Sequence, residues 1–88
     1  MSELFIYWVY ILKCSDNGFY VGCTDDLKKR IENHKNGEVK ETKYRLPITL
    51  NSYFGFKEKQ IAFNFEKYLK TGSGRAFAKK HFRIMVTE

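Results

Sequence analysis

Two short apolar runs at the start of the chain predict a pair of neighbouring strands. Leu4 to Lys13 carries aromatic and β-branched residues at both sets of alternating positions, which is typical of a strand covered on both faces. Phe19 to Cys23 has the same character and predicts its neighbour. The polar stretch Ser15-Asp16-Asn17-Gly18 turns the chain between the two runs.

The length of this turn decides whether Tyr10 and Tyr20 lie on the same face of the sheet. A three-residue loop, Asp16-Asn17-Gly18 with Gly18 in the left-handed conformation, pairs residues of equal parity and places both tyrosines on one face. A two-residue Asn17-Gly18 turn places them on opposite faces. The sequence allows both turns, so the shared face is a prediction.

The next segment predicts a basic helix directly after the second strand. Thr24-Asp25-Asp26 provides a capping hydroxyl and two carboxylates at the positive end of the helix dipole. The helix should reach about Asn36, with Gly37 closing it. Its predicted inner stripe is Leu27, Ile31 and His34, with Arg30 at the edge of that stripe and Lys28, Lys29 and Lys35 facing solvent.

The second half of the chain predicts one more strand and two more helices. Glu38 to Pro47 is polar and predicts a mobile surface loop. The following residues alternate, with Ile48, Leu50, Phe54 and Phe56 on one side of a third strand and Thr49, Asn51 and Tyr53 on the other. From Lys57 to Thr71 an apolar stripe predicts a helix, formed by Ile61, Ala62, Phe65 and Leu69.

Glu66 is unusual because it falls inside this stripe, between Ala62 and Leu69. Gly72-Ser73-Gly74 should end the helix and precede another from Arg75 to about Phe82. Ile84 to Val86 should then pack as a short tail. The expected fold is a small α+β domain spanning residues 1–88, with a three-stranded antiparallel sheet flanked by helices in the order β-β-α-β-α-α.

Composition narrows the class of partner. Sixteen Lys and Arg residues against ten Asp and Glu give the 88-residue chain a formal charge of +6, which favours an anionic partner such as nucleic acid but also suits a soluble protein kept monomeric by charge. The longest apolar run, Leu4 to Leu12, is too short to span a bilayer, and we expect a cytoplasmic protein without membrane contact. Cys14 and Cys23 fit reduced thiols.

Five polar side chains are predicted to point toward the sheet and the core, and together they suit phosphodiester hydrolysis. That reaction needs a base for the attacking water and positive charge for the phosphorane. Arginine clamps phosphate oxygens, and a lone carboxylate suits Mg²⁺ or Mn²⁺, whose remaining ligands are water and phosphate. The five residues are Tyr10, Tyr20, Arg30, His34 and Glu66.

Each of these residues also has an ordinary structural explanation. Tyr10 and Tyr20 taken singly are more often core aromatics with a satisfied hydroxyl. Arg30 and His34 fit a solvated helix face. Glu66 fits an ion pair with Lys70 one helical turn later, worth only a few tenths of a kcal/mol.

Taken in order, the residues resemble a known family. Val9-Tyr10-Ile11, then Tyr20-Val21-Gly22, then Arg30 with His34 are similar to the motifs of the GIY-YIG nuclease domain, and Glu66 lies where that family has its metal-binding glutamate. The resemblance covers essentially the whole chain and is greatest to the small bacterial single-domain branch. Trp8 stands where the first triplet usually has glycine, and Cys23 where several active members have Lys or Gln.

The resemblance implies an endonuclease that cleaves DNA with one divalent metal ion, Mg²⁺ or Mn²⁺, in DNA repair or recombination. Tyr20 would be the water-activating base or its close partner, Tyr10 would help orient the water or phosphate, and Arg30 would stabilise the phosphorane. His34 would assist proton transfer or phosphate binding, and Glu66 would ligate the metal.

Two further questions concern partners. We expect phosphate contacts from Lys28, Lys43, Arg45, Lys70, Arg75 and Lys79. The main rival function is a nucleic-acid-binding module of the same fold without useful cleavage, and a weaker one is an adaptor whose aromatic surface docks a protein. RNA is an alternative ligand, and a protein partner could supply specificity.

Overall fold

The structure, a computed structural model, describes residues 5–84 and consists of one sheet with helices on both faces. Its elements are β1 (Tyr7–Lys13), β2 (Phe19–Thr24), α1 (Leu27–Lys35), β3 (Thr49–Phe56), α2 (Lys59–Leu69) and α3 (Gly72–Phe82). The strands are antiparallel in the order β2-β1-β3, so β1 is the central strand. This confirms the predicted fold class and element order. Leu4 of the predicted first strand, and Met85 and Val86 of the predicted tail, lie outside the described residues.

The sheet separates two apolar clusters. On what we call the α2 face, side chains of β1 and β2 pack against α2 and α3, with Val9, Ile11, Val21, Ala62, Leu69, Ala78 and Ile84 buried. On the opposite α1 face, Tyr10, Leu12, Cys14, Ile31 and Ile48 are buried. Consequently β1 is covered on both sides, as its continuous apolar pattern predicts.

The hairpin between β1 and β2 places Tyr10 and Tyr20 on the α1 face. Gly18 O accepts from Cys14 N at 2.9 Å, which leaves a three-residue loop, and Tyr10 pairs with Gly22, so paired residues have equal parity. The left-handed residue is Asn17, with a φ of 67°, and not Gly18 as predicted. Asparagine tolerates that region better than most residues, so the loop forms one position earlier.

An extra residue in β3 changes which of its side chains share a face. Ile11 pairs with Ser52 but Leu12 pairs with Leu50, so Asn51 is inserted in the register. The predicted single alternation of Ile48, Leu50, Phe54 and Phe56 is therefore wrong. Phe54 and Phe56 pack on the α2 face, whereas Ile48 lies on the α1 face. Tyr53 pairs with Tyr10 and so joins the α1 face, where it is 55% exposed.

Residues 38–48 form a loop of successive turns with buried side chains, and the mobility predicted for residues 38–47 stays a prediction. Val39 and Thr42 are buried, and backbone bonds from Thr42 N and Lys43 N to Val39 O close a turn. Arg45 forms two hydrogen bonds with Asp16 of the hairpin, at 2.8 and 3.2 Å, and its carbonyl accepts from Ser15 N. The hairpin and this segment are thereby joined along the α1 face.

The two C-terminal helices differ from prediction at their junction. Thr71 caps α3 by accepting from Gly74 N, so Gly72-Ser73-Gly74 form the first turn of α3 instead of the end of α2. A Cβ at Gly74 would overlap the Tyr68 carbonyl, so glycine permits the close approach of α3 to α2. In α2, Ala62 and Leu69 are buried as predicted, but Ile61 is 48% exposed and lies outside the stripe.

Candidate active site

Tyr10 is the centre of a buried polar cluster on the α1 face. It is only 1% exposed, and its hydroxyl lies 2.8 Å from His34 Nε2. Arg30 Nε donates a longer hydrogen bond, 3.4 Å, to the same oxygen. Since Arg30 and His34 are four residues apart in α1, one helix face supplies both partners of a residue in the central strand.

Gly22 makes room for this arrangement. It is the cross-strand neighbour of Tyr10, and a Cβ built on it would overlap Tyr10 Cζ and Oη. The end of the Tyr10 ring therefore lies directly over the Gly22 backbone of β2, which is an edge strand. The glycine of the second motif is needed for close approach, since its backbone has no positive φ.

Tyr20 borders the same cluster from β2. Its ring centroid lies 6.4 Å from that of Tyr10 and 5.3 Å from that of His34. The residue is half-buried, in contrast to Tyr10. Of the two tyrosines, Tyr20 is thus the more accessible to solvent.

His34 is buried with both ring nitrogens engaged. Its exposure is 0%, Nε2 faces Tyr10, and Nδ1 lies 2.7 Å from Thr42 Oγ1. Burial, and secondly the Arg30 charge, lower the pKa of His34 to about 4. The imidazole is therefore neutral near pH 7.

Both tyrosines are held in their neutral form by their surroundings. Burial raises the pKa of Tyr10 to about 12, and the hydrogen bond from Arg30 partly opposes this. Burial and then the Glu41 charge raise the pKa of Tyr20, while Arg30 lowers it. Arg30 has its own pKa raised, first of all by the hydrogen bond to Tyr10. The guanidinium is therefore the group that favours phenolate formation at this site.

Glu66 belongs to α2, the helix on the other face of the sheet. Its carboxylate accepts from Lys70 Nζ at 3.1 Å, and the side chain is 20% exposed. Its negative charge also contributes to the raised pKa of Tyr10 and of Tyr20. The ion pair with Lys70 thus exists, but the carboxylate also acts electrostatically on both tyrosines.

The donor set suits a hydrated hard cation better than a metal held entirely by protein ligands, such as structural zinc. Within residues 5–84, no three His, Cys, Asp or Glu side chains lie together as a ready-made cage. A single carboxylate such as Glu66 fits Mg²⁺ or Mn²⁺, which retain water and take phosphate oxygens as further ligands. Glu66 would have to exchange its pairing with Lys70 for that cation.

The predicted phosphate contacts fall into two groups. Arg45 and Lys70 are engaged in ion pairs with Asp16 and Glu66. The others are exposed side chains on α1, on the 38–48 segment and on α3: Lys28, Lys43, Arg75 and Lys79. Their role in binding stays a prediction.

Two residues near the cluster were missed by the sequence reasoning. Thr42 contacts His34 directly, and the charge of Glu41 raises the pKa of Tyr20. Both lie in the segment that was predicted to be a mobile loop. Thr42 interrupts a run of charged residues, but a single small polar residue is too weak a signal to predict burial.

Comparison with known proteins agrees with the resemblance that the sequence motifs indicate. The family pattern described as the GIY-YIG catalytic domain matches residues 6–81. UPF0213 proteins of Streptococcus pyogenes serotypes M5 (strain Manfredo) and M3 (strain SSI-1) are each 40% identical over 70 residues, which is 78% of this chain and 76% of theirs. The solution NMR structure of the UPF0213 protein BH0048 from Bacillus halodurans is similar, with 34% identity, a TM-score of 0.56, and coverage of 85% of this chain and 81% of that one.

Proposed function

The chain belongs to the GIY-YIG catalytic domain family, and from this premise we propose that it is a metal-dependent endonuclease that hydrolyses DNA phosphodiester bonds. The family implies nuclease-type activity in general and suggests DNA as the substrate. The dependence on a divalent metal, and a role in DNA repair or recombination in the cytoplasm, are our proposals. Among the described residues, no helix is long and apolar enough to cross a membrane.

The observation that supports the proposal is a cluster of four side chains from three elements, on which the charge of a fifth side chain, Glu66 of α2, acts. Tyr10, Arg30 and His34 share hydrogen bonds, and the Tyr20 ring lies beside them. The Glu66 charge acts on both phenols. Ordinary core packing does not require two tyrosines, an arginine and a carboxylate to influence one another.

We assign the proton transfer to Tyr20 and the stabilisation of charge to Arg30. Tyr20 is the more accessible phenol, and Arg30 lowers its pKa. Arg30 donates Nε–H to Tyr10 and also hydrogen-bonds Tyr20, and its planar guanidinium has further N–H donors for phosphate oxygens. Because the guanidinium stays charged at any working pH, it can neutralise the growing negative charge of the phosphorane.

His34 orients Tyr10 instead of acting as an acid. With a pKa of about 4, the imidazole carries no extra proton near pH 7. Glu66 is the residue that would hold the divalent cation, whose chemistry would be to polarise the phosphate and stabilise the leaving oxygen. Tyr10, held on both sides by His34 and Arg30, then serves to position water or phosphate.

A binding module without useful cleavage is the second candidate. It is favoured by two observations, the Glu66–Lys70 ion pair and the raised pKa values of both phenols. In this alternative the +6 charge serves phosphate binding alone.

The deciding experiment measures cleavage, since both candidates predict salt-dependent binding. The purified protein is incubated with branched, flapped, nicked and single-stranded DNA, and with matched RNA, in Mg²⁺, Mn²⁺ or EDTA. We expect cleavage of DNA only with a divalent metal. Tyr20→Phe, Arg30→Ala and Glu66→Gln should each reduce the rate at least 100-fold, because each removes a group that acts in the transition state.

Lys70→Gln is the matched control for Glu66→Gln. Both changes break the same exposed ion pair and should alter stability by less than about 1 kcal/mol. Only Glu66→Gln removes the carboxylate, so at saturating DNA, where the loss of a phosphate contact from Lys70 does not limit the rate, Lys70→Gln should keep most of the cleavage rate. Cleavage of no substrate, or equal cleavage by all variants, would contradict the nuclease function and leave the binding module.

A further inference from the structure

A buried chain of two hydrogen bonds runs from the candidate site into the 38–48 segment. Tyr10 Oη lies 2.8 Å from His34 Nε2, and His34 Nδ1 lies 2.7 Å from Thr42 Oγ1. Both His34 and Thr42 have an exposure of 0%. When the imidazole is neutral, Tyr10, His34 and Thr42 each carry one hydrogen that can be donated, but only two hydrogen bonds join the three side chains. One hydrogen is therefore left over at one end of the chain.

The surroundings of the two ends decide where that hydrogen lies. Among the described residues, His34 is the sole hydrogen-bond partner of the Thr42 hydroxyl. If Thr42 accepted from Nδ1–H, its own hydrogen would be buried without an acceptor, which is costly. At the other end, Tyr10 Oη lies over Gly22 of the edge strand, beside Arg30 and the half-buried Tyr20. Tyr10 is itself only 1% exposed, but a hydrogen left over there lies among the polar groups of the candidate site, where a bound water or phosphate oxygen can accept it.

We infer that Thr42 is a positioning residue: its hydroxyl donates to His34 Nδ1, fixes the imidazole with its hydrogen on Nε2, and thereby makes Tyr10 a hydrogen-bond acceptor. The catalytic consequence rests on the proposed nuclease function, whereas the tautomer does not. Tyr10 Oη then accepts from both His34 Nε2 and Arg30 Nε. Its own hydrogen is directed to a third partner, which in a bound complex is a water or phosphate oxygen.

This arrangement separates the roles of the two tyrosines. Tyr10 acts as a donor that orients substrate, and the base is Tyr20. The charged and titratable groups around His34 agree with a neutral ring: Arg30 on its own helix lowers its pKa, and Glu41 from the 38–48 segment opposes this only in part. Tyr10 and Tyr20, which face the ring from β1 and β2, are themselves neutral near pH 7 because burial raises their pKa values.

The tautomer is measured directly by ¹⁵N NMR of the histidine side chains. The chain has two histidines, and His81 is exposed on α3, so a His81→Gln background leaves His34 as the only imidazole. We expect the Nε2 shift of a protonated nitrogen and the Nδ1 shift of an unprotonated one at pH 7. The opposite assignment would overturn the inference, whether or not the protein cleaves DNA.

Two substitutions test whether Thr42 itself sets the tautomer. Thr42→Val keeps the shape but loses the hydroxyl, and we expect a mixture of tautomers. Thr42→Ser keeps the hydroxyl and should keep the Nε2–H form. If the Thr42→Val protein keeps the wild-type tautomer population, another group sets the tautomer of His34 and the inference is overturned.

Cleavage kinetics test whether Thr42 contributes to catalysis. With a substrate that the wild type cleaves, Thr42→Val should lower kcat about fivefold with an unchanged Kd for DNA, and Thr42→Ser should restore it. Thermal unfolding of each variant distinguishes loss of orientation from loss of fold. If Thr42→Val lowers only DNA affinity or only stability, the positioning role is refuted. If no protein cleaves DNA, the nuclease proposal fails, and the NMR result still decides the tautomer.

Discussion

Gly22→Ala is expected to disturb the site through a single added methyl group. The new Cβ would occupy the space now filled by Tyr10 Cζ and Oη. Tyr10 has little freedom to move away, because its side chain is 1% exposed and its hydroxyl is bonded to His34 and Arg30. Either the ring shifts and stretches these bonds, or β2 moves away from β1.

The expected cost combines two effects. Overpacking a dense core costs about 1–3 kcal/mol, and weakening the Tyr10–His34 hydrogen bond adds about 1 kcal/mol. A total of about 2–4 kcal/mol corresponds to a fall in Tm of roughly 10–25 °C for a chain of this size. DNA cleavage, which depends on the position of Tyr10, should fall by at least 100-fold.

Thermal unfolding followed by far-UV circular dichroism measures the effect, and Gly72→Ala is its control. A Cβ at Gly72 meets no atom within 4 Å, so that change should shift the free energy of unfolding by less than about 0.5 kcal/mol. A Gly22→Ala protein with wild-type Tm and activity would refute the packing of Tyr10 across Gly22.

Three further effects follow from the structure. The pKa of His34 is lowered from 6.5 to about 4, so between these pH values the folded state binds fewer protons than the unfolded state. The free energy of unfolding should therefore fall by on the order of 3 kcal/mol as the pH drops from 6.5 to 4. Urea unfolding at pH 4–7 should show this slope, and its persistence in His34→Gln would contradict the assignment. Asp16→Asn should leave the urea midpoint nearly unchanged, since Asp16 is 53% exposed and exposed ion pairs add little stability, and a clear fall in the midpoint would mean that the pair organises the whole 38–48 segment. Lys43→Gln should reduce the slope of log Kd for DNA against log salt by about 1, and an unchanged slope would exclude a phosphate contact there.

The sequence predicted the elements better than it predicted their register. Continuous apolar residues in β1 indicated a strand covered on both faces, and the stripe of Ile31 and His34 indicated the inner face of α1. The inserted Asn51 in β3 left no comparable signal. One extra residue reverses the face of every later side chain, so an alternation extrapolated through it assigns the wrong face.

Only those residues of the candidate site that belong to its sequence motifs could be predicted. The spacing of Tyr10, Tyr20, Arg30 and His34 indicated their proximity, although whether the tyrosines share a face depended on a turn that the sequence left open. Thr42 was missed because its burial depends on contacts across the fold. Asp16 and Arg45, 29 residues apart, form an ion pair between the hairpin and the segment that contains Thr42, and pairing between such distant residues has no local pattern.

The central position of β1 determines which parts of the site can adapt to a substrate. Residues 9–12 are at most 1% exposed and are hydrogen-bonded to strands on both sides, so their amides should be among the slowest to exchange with deuterated solvent. Tyr10 therefore belongs to the part of the protein that opens only when the whole molecule unfolds. Tyr20 on an edge strand and Arg30 on a short helix lie in parts with lower opening energies. DNA of different shapes would thus be accommodated by movements of Tyr20 and Arg30 around a fixed Tyr10.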